Sequence, residues 1–97
     1  MLFRSGLGIV RPYVGHGIGR AMHEAPQVPN YRTGRKSLTL EPGHCLAIEP
    51  MLTLGTFQYD MWADGWTVVT KDRQLSAQFE HTIVVTPTGS EILTLPD

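Results

Sequence analysis

Ala77-Gln78-Phe79-Glu80-His81-Thr82-Ile83-Val84-Val85-Thr86 reads as the longest strand of the chain, and it decides the fold. Its second half is almost wholly β-branched, which suits a pleated, half-buried surface. Its first half alternates: Gln78, Glu80 and Thr82 fall on one face, Ala77, Phe79 and His81 on the other. Pro87 to Gly89 closes it with a turn, and Glu91 to Leu95 reads as a last short strand. Upstream, Trp66 to Thr70 is a strand ended by the turn Lys71-Asp72-Arg73, and Asp64-Gly65 ahead of it is a hairpin signal. Phe57 to Asp64 reads as a loop or loose strand. His44 to Leu54 is a strand broken at Pro50, with Leu46 and Ile48 on one face and Cys45, Ala47 and Glu49 on the other.

Ile9 to Val14 reads as a further strand, with Pro12 arguing for an edge or a bulge. Gly15 to Gly19 reads as a tight turn around His16. Arg20 to Pro42, with Pro26, Pro29 and Gly34, reads as an ordered loop, and Leu40-Glu41-Pro42-Gly43 as a turn. Ala21-Met22-His23-Glu24 offers at most one helical turn. Seven prolines and ten glycines support this picture of short elements and many turns. The expectation is a mainly antiparallel sheet from strands near 9–14, 44–54, 66–70, 77–86 and 91–95, with little helix.

Bulk properties exclude several functions. At 97 residues one domain is expected. The formal charge of −1 gives no electrostatic case for nucleic acid or an anionic membrane surface. Arg32, Arg35 and Lys36 read as a solvated loop. The single cysteine, Cys45, allows no internal disulfide and fits a reducing compartment, so the cytoplasm is the expected location. No apolar run reaches the ~20 residues of a membrane span, and Met1-Leu2-Phe3-Arg4 does not open a signal peptide.

Chemistry concentrates in two glutamates on apolar, strand-like runs: Glu49 in Ala47-Ile48-Glu49-Pro50-Met51, and Glu80 in Gln78-Phe79-Glu80-His81. A buried carboxylate without a partner costs several kcal/mol or takes up a proton. A divalent cation is a natural partner for two of them, and strand alternation lets both point into one polar pocket. His16, between Gly15 and Gly17, is a third candidate ligand. One histidine and two carboxylates suit Zn, Co, Mn or Fe. His23-Glu24 lacks the His-Glu-x-x-His spacing of a zincin helix.

These segments resemble the methionine aminopeptidases of the bacterial, type I class. Gly15-His16-Gly17-Ile18-Gly19-Arg20, continuing to His23-Glu24 and Pro26, is similar to their first catalytic segment. Pro42-Gly43 running into Ala47-Ile48-Glu49-Pro50-Met51 resembles the second. Asp64-Gly65-Trp66-Thr67-Val68 through Ser76-Ala77-Gln78-Phe79-Glu80-His81-Thr82 resembles the third, and Val85 to Thr94 their closing strands. The resemblance implies an α+β protein: half of a pita-bread fold, mainly antiparallel sheet, with most covering helix missing. Residues 1–97 then form a single partial domain, the C-terminal half of a catalytic domain, in which residues 1–8 end a helix–strand connection. It further implies metal-dependent removal of N-terminal methionine from nascent chains by the intact enzyme.

Residue by residue, the resemblance makes His16, Glu49 and Glu80 three of five metal ligands. Glu49 becomes a proton shuttle as well, and His23 a donor to the scissile amide. Trp66 and Met22 become walls of the pocket for the methionine side chain. The other two ligands are aspartates of an N-terminal half; Asp60, Asp64, Asp72 and Asp97 match neither. Two metals bind the intact family enzyme, and at most one, weakly, is expected here, leaving the chain alone inactive. The nascent peptide terminus is the expected partner, with no nucleic acid and no membrane. An uncovered apolar sheet face, drawn from Leu46, Ile48, Phe79, Ile83 and Val85, favours self-association. The rival reading is a half-domain that keeps the fold without the chemistry and acts as a binding or structural module.

Overall fold

Two-residue periodicity with frequent proline and glycine interruptions gives strands of two to six residues and no helix among the described residues. The computed structural model describes residues 5–96. The expectations for Met1-Leu2-Phe3-Arg4 and for Asp97 lie outside them. The ten strands are β1 (Gly8–Ile9), β2 (Gly15–Gly17), β3 (Glu24–Val28), β4 (Cys45–Ile48), β5 (Met51–Thr53), β6 (Tyr59–Met61), β7 (Val68–Thr70), β8 (Ser76–Gln78), β9 (His81–Thr86) and β10 (Gly89–Ile92). All their pairings are antiparallel. The helical part of the α+β expectation therefore has no counterpart among the described residues.

A five-stranded sheet runs in the order β10-β9-β4-β2-β3, a three-stranded one in the order β1-β5-β8, and β6-β7 form a separate ribbon. The first two share one pair of bent segments. β4 pairs β9 with Ile48 opposite His81, and β5 pairs β8 with Met51 opposite Gln78. The register is therefore unbroken across the gap, which puts Glu49 opposite Glu80 and Pro50 opposite Phe79. Phe79 N–H still donates to the Pro50 carbonyl at 3.2 Å. Proline has no N–H to give the ladder, and the chain bends there instead of continuing as one strand. For this reason the expected strands 44–54 and 77–86 each divide in two.

Three further expectations change. The strand expected at Ile9–Val14 stops at Ile9; Val10 N–H still reaches the Met51 carbonyl at 3.1 Å, and Pro12 follows in a bend. The turn expected at Gly15–Gly19 is instead the strand β2, threaded between β3 and β4. A Cβ on Gly15 would collide with the Ala47 carbonyl, and one on Gly17 with the Ala25 carbonyl. The glycines are there for close approach of three backbones, not for turning. β3 itself lies in the stretch expected to be loop. It is an edge strand, and its register against β2 shifts between His16 and Gly17, so Pro26 sits beside a bulge, where a strand tolerates it.

The buried apolar residues are Ile9, Val10, Leu46 and Ala47. Leu46 is thus covered, while Ile48, Ile83 and Val85 are half-buried and Phe79 is 65% exposed. The chain exposes 7540 Å², whereas a compact monomer of its mass exposes about 5,500 Å². Its radius of gyration is 14.9 Å, against about 12.5 Å for a globular chain of this length. The apolar face is therefore real but only partly open, and the excess surface lies on ribbons and loops as well.

Candidate metal centre

His16 sits opposite Ala47 in the β2–β4 ladder, so it shares a face with Ala47 and, two residues on, with Glu49. The side chains meet: His16 Nε2 lies 3.0 Å from Glu49 Oε1, and both are largely buried at 14% and 16% exposure. His16 Nδ1 is 2.9 Å from the Gly17 carbonyl. A carbonyl only accepts, so the Nδ1 proton belongs in that contact and Nε2 faces the carboxylate. A bare Nε2 lone pair against a carboxylate oxygen is repulsive. The contact calls for a positive centre, either a proton on Nε2 or a cation shared by the two groups. Two ligands each about 2.1 Å from one ion and at right angles to each other lie about 3.0 Å apart. The pair fits a metal on both tautomer and spacing.

Glu49 has a second partner outside the candidate residues. Gln78 Nε2 donates to Glu49 Oε2 at 3.4 Å. The signal was present in period: Gln78 lies two residues from Glu80 on the same strand face. His23, just ahead of β3, lays its ring on His16 with centroids 4.3 Å apart and planes inclined at 48°. His16, His23 and Glu49 line a cleft of about 540 Å³ together with Tyr13 and Glu24.

Glu80 is on the matching face by register but exposed, in the bend between β8 and β9. Among the described residues no three histidine, cysteine, aspartate or glutamate side chains converge as a metal-holding group. His16 and Glu49 are brought together, and Glu80 is brought opposite Glu49 without closing on them. His81 turns from this face and meets Thr94 Oγ1 at 2.8 Å through Nδ1.

Trp66 lines a second cavity of about 670 Å³, floored by Val10, Met51 and Thr53 and walled by Tyr59 and Val69. Tyr13 lines both cavities, and Gln78 lines the second while bonding Glu49 in the first. The two hollows are thus neighbours, and the first holds the ionisable groups His16, His23, Glu24 and Glu49. Tyr13 packs on Tyr59 with centroids 5.6 Å apart. Trp66 is itself 87% exposed, at the turn before β7. Met22 is 73% exposed and lines neither cavity, so the pocket wall expected of it is not formed here.

That turn is built by one carboxylate. Asp64 accepts hydrogen bonds from Trp66 N–H, Thr67 N–H and Thr67 Oγ1 at 3.0, 2.8 and 2.6 Å. Those bonds, the Thr67 hydroxyl foremost, hold its pKa below the ordinary aspartate value.

Comparison with known proteins places this geometry. The family described as Metallopeptidase family M24 matches residues 2–87. The chain is 57% identical over 91 residues to a methionine aminopeptidase B of a Synechocystis strain, covering 94% of this chain and 33% of that protein. It is 56% identical over 90 residues to the methionine aminopeptidase of Escherichia coli K12, covering 93% and 34%. Among solved structures, the methionine aminopeptidase of Thermotoga maritima superposes with a TM-score of 0.92 at 47% identity, over 98% of this chain and 38% of that one. The enzyme from Rickettsia prowazekii gives 0.90 at 46%, over 97% and 38%. The chain spans about a third of the length of the curated relatives it matches.

Proposed function

This chain belongs to metallopeptidase family M24, and from that premise we propose that it is the C-terminal half of a methionine aminopeptidase catalytic domain. Its 97 residues are one partial domain of a pita-bread fold, whose helices belong to the remainder. The intact enzyme would remove initiator methionine from nascent peptides in the cytoplasm, without nucleic acid or membrane as partner. One observation carries this reading: His16 Nε2 and Glu49 Oε1 at 3.0 Å, with His16 Nδ1 held on the Gly17 carbonyl.

In this reading His16, Glu49 and Glu80 are metal ligands, for Co, Mn, Fe or Zn. A divalent ion there supplies Lewis acidity and a lowered pKa for water. The chain's own residues do the rest. Glu49, steadied by Gln78, takes a proton from the attacking water and returns it to the leaving amine. His23, stacked on His16, donates to the oxygen of the breaking amide. The apolar cavity behind Tyr13, with Trp66 at its mouth, receives the methionine side chain.

A second reading is favoured by the exposed position of Glu80, which leaves three ligands unassembled. The chain alone would then be a half-domain that binds rather than catalyses. One experiment separates them: assay a Met-Ala-Ser peptide in cobalt or manganese buffer with this chain alone, then with the separately produced N-terminal portion of a relative. Background turnover alone and activity on mixing, lost with Glu49→Gln, supports the aminopeptidase half. Binding to that portion without turnover supports the module. Turnover by the chain alone, abolished by Glu80→Ala, would overturn the need for a second half. The surface excess of roughly 2,000 Å² over a compact monomer is as large as a standard interface. We expect the isolated chain to self-associate at micromolar concentration, and a monodisperse monomer in sedimentation velocity would refute that.

A further inference from the structure

A third cavity contains neither His16 nor Glu49 and shares Gln27 with their cleft. It holds about 730 Å³ between β1, the segment after β3 and Phe57. Arg11, Arg32 and Arg35 line it, and no aspartate or glutamate does. Among the described residues the ion pairs are His16–Glu49 and Lys71–Asp60, so none of these three arginines is neutralised by a carboxylate. Arg11 is packed over two rings, its Cζ 4.9 Å from the Phe57 centroid and 5.3 Å from that of Tyr31. Such ring contacts hold a guanidinium without taking up its N–H donors in hydrogen bonds.

The positive charge is local. The whole chain carries −1; Asp60 and Asp64 lie in and beside the β6–β7 ribbon, and Asp72 accepts from Thr56 N–H at 2.7 Å, next to Phe57 at the cavity's edge. Three like charges around one hollow repel, and a multiply charged anion relieves that repulsion with charge-assisted hydrogen bonds. The rings of Tyr31 and Phe57 already carry Arg11, so charge rather than base stacking is what the cavity recognises. The sequence suggested only a solvated loop at Arg32, Arg35 and Lys36. The fold adds Arg11 from a distant segment and a concave wall.

We propose that this cavity binds a small polyphosphate-bearing anion, with Arg11 as the fixed donor and Arg32 and Arg35 completing its charge. The proposal does not rest on the peptidase reading, although the cavity borders both others through Gln27 and Phe57. Titrating the metal-free chain with tripolyphosphate and following backbone amide NMR tests it. Expected are saturable shifts at residues 8–11 and 31–35 with a Kd below about 1 mM. Arg11→Gln should weaken binding about tenfold, and Arg32→Gln with Arg35→Gln by at least as much. Lys36→Gln, outside the cavity, should change it by less than about twofold. A parallel titration with ATP separates sources: equal affinity assigns recognition to the phosphate chain, and tighter binding assigns it to a nucleotide. Should Arg11→Gln unfold through loss of its ring contacts, the Arg32/Arg35 double variant in the exposed loop carries the test. No saturation, no effect of the folded arginine variants, or an equal effect of Lys36→Gln would overturn the proposal.

Discussion

The centre of the five-stranded sheet and the β6–β7 ribbon hold their parts of the candidate site by opposite means. His16 and Glu49 are fixed by backbone: β2 is wedged between β3 and β4 where a single Cβ would not fit. Trp66 is fixed by one exposed carboxylate, Asp64, at the turn of a ribbon that pairs with neither larger sheet. The end proposed to be catalytic is set by close packing of backbones. The end assigned to side-chain recognition is set by local turn chemistry. In the proposed peptidase, reacting groups need fixed geometry, whereas a pocket wall can adjust.

The contrast can be broken at the centre first. Leu46 is 3% exposed in a core of four buried apolar residues. Leu46→Ala should cost about 3 kcal/mol and erase a cooperative urea transition. A variant that still unfolds cooperatively near the parent's midpoint would show that the core lies elsewhere. Gly17→Ala comes next, at about 2 kcal/mol from overpacking against the Ala25 carbonyl. It should also separate the His16 and His23 rings, read as a change in the His23 ring-proton shifts.

The ribbon should respond weakly and locally. Asp64→Ala should speed amide exchange at Trp66 and Thr67 while leaving β4 and β9 protected; exchange rising across all sheets would mean that the ribbon is not separate. Its pH dependence has a definite sign. The folded pKa of Asp64 is depressed, so its contribution is complete above the usual aspartate pKa and is lost as pH falls through the lower, folded value. The Thr67 amide shift should therefore inflect below the ordinary aspartate range, and an inflection at or above it would contradict the bonding. The smallest effect belongs to Lys71→Ala. Lys71 and Asp60 meet at 3.5 Å with about half of each side chain exposed, so the change should stay below about 0.5 kcal/mol in a melting experiment.

The Asp64-Gly65 hairpin was legible because its signal is local: an acceptor side chain followed by a residue free to take φ +69°. The alternation that put Glu49 and Glu80 on facing strands was legible for the same reason. Gly15-His16-Gly17 was not, since a glycine that permits a turn and a glycine that permits close packing look alike in one dimension. β3 was hidden in the polar, proline-containing stretch expected to be loop, because an edge strand is held by its neighbour rather than by its own propensity.

The sequence alone determined the strand periods, the breaks at Pro12 and Pro50, the resemblance to methionine aminopeptidases, and the names of His16, His23, Glu49, Glu80 and Trp66 as candidates. Tertiary structure alone decided that His16 meets Glu49 at 3.0 Å, that Gln78 steadies the same carboxylate, that Met22 stands outside the pocket, and that Arg11 joins Arg32 and Arg35 at one cavity. The reason is range. Propensity, alternation and turn chemistry act over a few residues and are written along the chain. A contact between residues 16 and 49, or the meeting of residues 11 and 35 at one cavity, depends on which strands pair and how closely their backbones approach, and packing settles that only once the whole sheet has formed.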